Sequence, residues 1–238
     1  MRYLLKIIRT IIRLLTRTSF LKTLYFNFHY FPLKTALRLP VFIKCRSRCV
    51  FKGKVILKAE KIKTGMISLG LLHNPYYRGG VFFSNHGTLI FCGRALIGNE
   101  SKLIIYPGGE ITLGANVGIS SSRILSVYSI SIGKDTLIGN DCDIFDCDFH
   151  VIKDMVSGKY LKPYKKVVIG DTNWLGFETM VMKGTVTPNN CTVAARSILN
   201  KRYKYEDNCI IGGNPAQLIG EDYQRDDRLS CLPHNFKN

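Results

Sequence analysis

From Ile169 to Leu199 one class of side chain returns every sixth residue: Ile169, Leu175, Val181, Thr187, Val193 and Leu199. Gly170 and Gly176 follow the first two directly. Small residues, Thr179, Thr185, Cys191 and Ser197, stand four places after the later ones. A helix repeats near 3.6 and a flat strand at 2, so a sustained six predicts a short strand and a turn used as one unit. Such a unit cannot bury its own apolar side chain. Stacking successive units buries a continuous core, which predicts an all-β chain built as a parallel β-helix.

The beat extends upstream. Ile132-Gly133, Ile138-Gly139 and Ile144 keep the interval, with Thr136, Cys142 and Asp148 at the fourth following place. Pro107, Leu113-Gly114, Ile119 and Leu125 hold a looser version, and Ile97-Gly98 and Leu103 carry it further back. Val55, Leu57, Ile62, Ile67 and Leu69 look strand-like without a clean register. The expected organisation is a basic amphipathic helix and linker over 1–45, a β-helix domain over 46–220, and a polar tail over 221–238. The register is lost after Ile144 until Ile169, which predicts a loop excursion at 151–166, and inserted loops on solenoids usually line a binding face.

Ile169 to Leu199, the run Asp146-Cys147-Asp148-Phe149-His150 and the closing Gly212-Gly213-Asn214-Pro215-Ala216 resemble the hexapeptide-repeat O-acetyltransferases, in particular the capsule and polysaccharide branch. The resemblance implies a left-handed β-helix with three hexapeptides per coil, a homotrimer, and acetyl-CoA as co-substrate in a groove between neighbouring subunits, with no metal required. It places Trp174 beside that groove and Gly176, Ala194 and Ala195 along the pantetheine arm. Ser197, Lys201 and Arg202 fall where hydroxyl and basic groups would meet the nucleotide phosphates. Relatives commonly hold an asparagine about thirty residues before the histidine, where this chain reads Ile119-Ser120-Ser121-Ser122. Ser120 and Ser121 are therefore the acceptor-binding candidates, with fewer donors to offer than an amide. Repeat geometry alone also asks for small residues at corners, so each of these positions has a purely structural reading as well.

The catalytic candidate is His150. A sugar hydroxyl is a poor nucleophile at neutral pH, and an imidazole is a base of suitable strength without perturbation. Asp146 and Asp148 stand at steps of two from it, so in an extended segment all three side chains share a face. Either carboxylate could then fix the tautomer, as the third member of a triad does. The nearer, Asp148, is favoured.

The first residues carry a separate signal. On a helical wheel Arg2, Lys6, Arg9, Arg13 and Arg17 fall within an arc of about 80°, opposite a leucine- and isoleucine-rich side. This predicts a helix that either lies on an anionic membrane surface through residues 2–20 or caps the β-helix; the first is favoured on charge. Arg9 and Arg13 interrupt any spanning or signal segment. Thirty-four Lys and Arg against seventeen Asp and Glu give +17, an excess that favours polyanionic partners. No nucleic-acid module appears, so lipid or a lipid-linked saccharide ranks above nucleic acid. The eight cysteines lack paired CxxC spacing, which suits a reduced, cytoplasmic chain at the inner face of the cell membrane.

Other classes stand against this reading. A γ-class carbonic anhydrase needs three histidine ligands, and no second histidine lies close to His150. A non-catalytic trimeric scaffold at the membrane would survive loss of His150. A serine acetyltransferase would carry a longer helical N-terminal domain, whereas an N-acetyltransferase acting on an amino sugar shares the chemistry and stays open.

Overall fold

A computed structural model describes residues 17–72 and 79–226. Its strands form three sheets of nine, seven and five strands, parallel except for the closing strand, and the chain visits them in rotation, the last coils meeting the smallest sheet only through single bridges at Val186 and Arg202. The inward side chains stack in columns. In the nine-stranded sheet Ile43, Leu69, Ile97, Ile119, Ile138, Leu175, Val193 and Ile211 lie over one another. In the seven-stranded sheet the column is Cys49, Phe83, Leu103, Ile124, Ile144, Val181 and Leu199. Each well-buried aliphatic contributes about 1.5–3 kcal/mol, and no coil could bury its set alone.

The hexad positions from Ile132 onward, Thr187 included, point inward, as do Ile97 and Leu103. Two earlier ones do not. Pro107 is exposed in a longer corner at Tyr106–Gly109, and Ile105 takes the core position instead. Leu125 faces outward while Ile124 fills the column, because the strand Arg123–Ser126 sets its alternation by pairing with Lys102–Ile105.

The small residues at the corners satisfy corner carbonyls, the first of these bonds crossing to the next coil and the other two closing their own corner. Ser122 Oγ donates to the Gly139 carbonyl at 2.7 Å, Thr179 Oγ1 to the Gly176 carbonyl at 2.8 Å, and Ser197 Oγ to the Ala194 carbonyl at 2.6 Å. A buried corner carbonyl without a partner would be costly, and a compact hydroxyl supplies one.

Both ends of the stack are covered, which protects edges that would otherwise recruit other chains. The helix Phe20–Tyr30 lies on the first coil, with Asn27 Nδ2 donating to the Val41 carbonyl at 2.8 Å and Thr23 Oγ1 accepting from the Ile43 N–H at 3.1 Å. At the other end Ala216–Gly220 folds back antiparallel on Ile210–Gly213. The first parallel strand is Val41–Ile43, earlier than the expected boundary at 46. From the tail, Arg225 reaches back along the outside and donates to the carbonyls of Asn173 and Asp135 at 2.9 and 2.7 Å. The amphipathic segment predicted over 2–20 lies outside the described residues except at its end. Among the described residues no helix is long and apolar enough to cross a membrane.

Candidate active site

After Ile144 the chain should cross to the five-stranded sheet; instead it leaves the stack. Asp146 completes the corner with a fully buried carboxylate that accepts from Ser126 Oγ at 2.7 Å, the Val127 N–H at 2.8 Å and the Tyr128 N–H at 2.9 Å. From Cys147 to Tyr164 the chain then runs out and back as an antiparallel excursion, bridged at Cys147 with Tyr164 and at Lys153 with Tyr160. It returns where the Lys165 N–H donates to the Asp146 carbonyl at 2.9 Å. The tip is tied by Asp154, which accepts from Ser157 Oγ at 2.6 Å and the Val156 N–H at 2.9 Å, while Gly158 takes a φ of 70°. Those bonds, the Ser157 hydroxyl first, hold the Asp154 carboxyl below its usual range.

Aromatic and ionic contacts dock the root of this hairpin on the prism. Tyr164 packs against Tyr128 with ring centroids 5.1 Å apart, and Lys162 Nζ sits 4.8 Å from the Tyr164 centroid and 5.5 Å from that of Tyr128. Phe149 packs against Tyr106 at 5.8 Å. Lys183, on the next coil, pairs with Asp148 and donates to the Lys162 carbonyl at 2.9 Å. His150 emerges just after these contacts with an exposed side chain.

The triad expected from alternation does not form in this geometry. Phe149 has a φ of 60°, so the segment is not extended there and Asp148 and His150 do not share a face. Asp148 is engaged by Lys183, and Asp146 is consumed by three donors of the corner below. Among the described residues neither carboxylate hydrogen-bonds to the imidazole. Lys183, Tyr128 and Tyr164 were not singled out from the sequence; the signal available was that Lys183 follows the core residue Val181 on the coil stacked against Ile144.

The remaining candidates lie on other parts of the prism. Trp174 is partly exposed on the nine-stranded sheet, paired between Leu137 and Thr192. Gly176, Ala194, Ala195, Ser197, Ser120 and Ser121 occupy the edge between the nine- and seven-stranded sheets, whereas His150, Lys183 and Lys201 occupy the edge between the seven- and five-stranded sheets. At Gly176 a Cβ would come 2.7 Å from the Ala195 nitrogen and 2.9 Å from the Val193 oxygen, so stacking itself demands glycine there. Ala194 and Ala195 keep that edge low and partly open, which suits a slender chain lying along it. Ser197 does not fit a phosphate contact: its hydroxyl is buried, donating to the Ala194 carbonyl and accepting from the Gly213 N–H at 3.1 Å. Lys201 donates to Gln217 at 3.2 Å and lies over Tyr203, and Arg202 is exposed at the bridge to Val186.

Ser121 borders a shallow cavity of about 290 Å³ with Glu100, Lys102, Arg123 and Asp141, where Arg123 forms a two-pronged pair with Asp143. Ser120 is half-buried beside it, and Ser122 is wholly committed to the corner. The seven described cysteines are free thiols. Burial pushes the Cys142 thiol up to about 11 and raises that of Cys191 as well, so both stay protonated and packed.

No family model matches the chain. Among curated proteins it is 30% identical over 157 residues to WbbJ of Escherichia coli K12, named for O-acetyl transfer in lipopolysaccharide biosynthesis, over 62% of this chain and 79% of that one. It is 26% identical over 192 residues to a chloramphenicol acetyltransferase of Klebsiella aerogenes, covering 76% and 79%. To a polysialic acid O-acetyltransferase of Escherichia coli O1:K1 it is 29% identical over 119 residues, half of this chain and 36% of that one. The names share acetyl transfer and differ in acceptor. With a repeat that closes into a three-sided stack and a likeness to WbbJ over most of that protein's length, the chain belongs to the hexapeptide-repeat O-acetyltransferase family.

Proposed function

We propose that this O-acetyltransferase moves an acetyl group from acetyl-CoA to a hydroxyl of a glycan or lipid-linked sugar in the biosynthesis of a surface polysaccharide, capsule or O-antigen, with His150 as general base. The observation that carries the reading is the exposed imidazole at the point where the chain leaves an otherwise closed stack. His150 takes the proton of the acceptor hydroxyl as its oxygen bonds to the acetyl carbonyl carbon. The tetrahedral intermediate then collapses, the carbon–sulfur bond breaks, and the imidazolium returns the proton to the CoA sulfur. Transfer is direct, so no acyl-enzyme forms. Lys183 keeps the hairpin root in place through Asp148 and acts as a positioning residue.

The division of the site between two edges supports assembly as a homotrimer. One edge of a prism faces away from the next, so a single chain does not bring Gly176, Ala194 and Ala195 to His150. Three prisms side by side set the low edge of each subunit against the hairpin edge of its neighbour, and the pantetheine arm then runs down the seam. The basic sequence of residues 2–20, with cations at helical spacing among leucines and isoleucines, supports a seat on the anionic inner face of the cell membrane, close to lipid-linked acceptors.

The test is release of free thiol from acetyl-CoA by the full-length protein across a panel of oligosaccharides, amino sugars and chloramphenicol. A saccharide hydroxyl is expected to be the acceptor, and His150→Ala to remove transfer while the trimer persists on a sizing column. Transfer by that variant at the wild-type rate overturns the assignment of the base. Exclusive use of an amine or of chloramphenicol overturns the acceptor class.

A further inference from the structure

The first coils carry two surfaces that acetyl transfer does not use, one on the capping helices and one along the edge between the five- and nine-stranded sheets. One is apolar. The helix Phe20–Tyr30 turns Thr23, Phe26 and Asn27 into the stack and leaves Phe20 65% and Leu21 79% exposed at its first turn. The short helix Leu33–Ala36 and the residue after it add Leu33 at 65% and Leu37 at 67%. Four large apolar side chains this open on and beside the two capping helices are available to a partner.

The other surface is basic. A groove of about 880 Å³ lies between the corner loop 58–66 and the corners at Cys92–Arg94 and Ala115–Asn116. Lys58, Lys61, Lys63 and Arg94 line it, with Glu60 the acid among its lining residues, and among the described residues no ion pair engages the four cations. Arg38 joins the two surfaces. It follows Leu37 directly and donates to the carbonyl of Ile62, between Lys61 and Lys63, at 3.2 Å.

We propose that this folded end rests on the bilayer, with Phe20, Leu21, Leu33 and Leu37 at the acyl boundary and the phosphate of an anionic phospholipid headgroup held by Lys58, Lys61, Lys63 and Arg94. This rests on the membrane reading above and extends it from residues 2–20 to the first coils of the prism. Apolar side chains flanked by cations are the arrangement by which surface-bound elements hold acidic membranes. Charge complementarity selects lipid over a second copy of the chain, because two such ends would set like charges face to face.

The full-length protein is sedimented with phosphatidylcholine vesicles and with vesicles in which about a third of the lipid is phosphatidylglycerol, a content that gives a strongly negative surface. Wild type is expected on the anionic vesicles. Lys61→Glu/Lys63→Glu weakens that partition by at least about tenfold, and Leu33→Ser/Leu37→Ser weakens it severalfold, while turnover of a soluble acceptor is unchanged. Equal charge reversal elsewhere, Lys166→Glu/Lys204→Glu, leaves partition near wild type. The proposal is overturned if the groove pair partitions as wild type or if the distant pair weakens binding as much, which would mean net charge alone. It is also overturned if soluble glycerol phosphate at millimolar concentration displaces the wild type from vesicles, which would make the groove a free-phosphate site. A wild type that ignores anionic vesicles sinks the membrane reading too, whereas an indifferent groove pair sinks only this one.

Discussion

Two edges of the same prism use their residues in opposite ways. Along the edge that carries Gly139 and Gly176, coil lies so close on coil that a Cβ at either position would come within 3 Å of neighbouring backbone, and the Ser and Thr hydroxyls beside them are spent on carbonyls. Along the edge that carries Asp146 and His150, the chain departs from the stack, and the side chains past the root answer to few neighbours. A small residue on the first edge is therefore explained by packing before any ligand is invoked. The exposed imidazole on the second has no packing role of that kind, which supports the proposal of His150 as the base.

The sharpest break of this contrast is His150→Ala. It should lower acetyl transfer by about 10²–10⁴-fold, the usual share of a general base, with no shift in the melting midpoint. Asp146→Ala, four residues earlier in the buried corner, should do the reverse. It strands three donors at a buried corner and costs about 2–4 kcal/mol in urea unfolding, and whatever activity survives should keep the wild-type pH profile. Gly176→Ala probes the packed edge: crowding the Ala195 backbone should cost about 1–3 kcal/mol, and a rise in the KM for acetyl-CoA alone would show that the edge also carries the donor. Lys183→Met should have the smallest effect, about 1 kcal/mol or less for a partly exposed pair. Its value is in the pH profile of kcat/KM: release of Asp148 to the imidazole would raise the apparent pKa of the base, whereas an unchanged profile confines Lys183 to holding the hairpin.

Much of the fold could be read from spacing because the later coils use one inward residue per short strand, so the period survives as written. The earlier coils use four-residue strands with two inward positions and a longer corner at Tyr106–Gly109, which is why the six-residue count falls on Pro107 and Leu125 while Ile105 and Ile124 fill the core. The site was legible only in part. Loss of register pointed to the excursion, but its root lies at Cys147 and not at 151, because the bridge to Tyr164 closes before the hydrophobic pattern visibly fails. Alternation suggested a triad on one face, and a single left-handed residue, Phe149, undoes that inference. Contacts such as Asp148 with Lys183 join neighbouring coils far apart in sequence, and no local pattern announces them.

Stacked repeats sense only their neighbours, so a rung at the end of a solenoid has no direct hold on one in its middle. Arg225 supplies such a hold. Its guanidinium meets the carbonyls of Asn173 and Asp135, corners of two successive coils that lie 52 and 90 residues back along the chain, so the tail acts as a strap that makes the closing rungs come loose together with the middle of the barrel and not ahead of it.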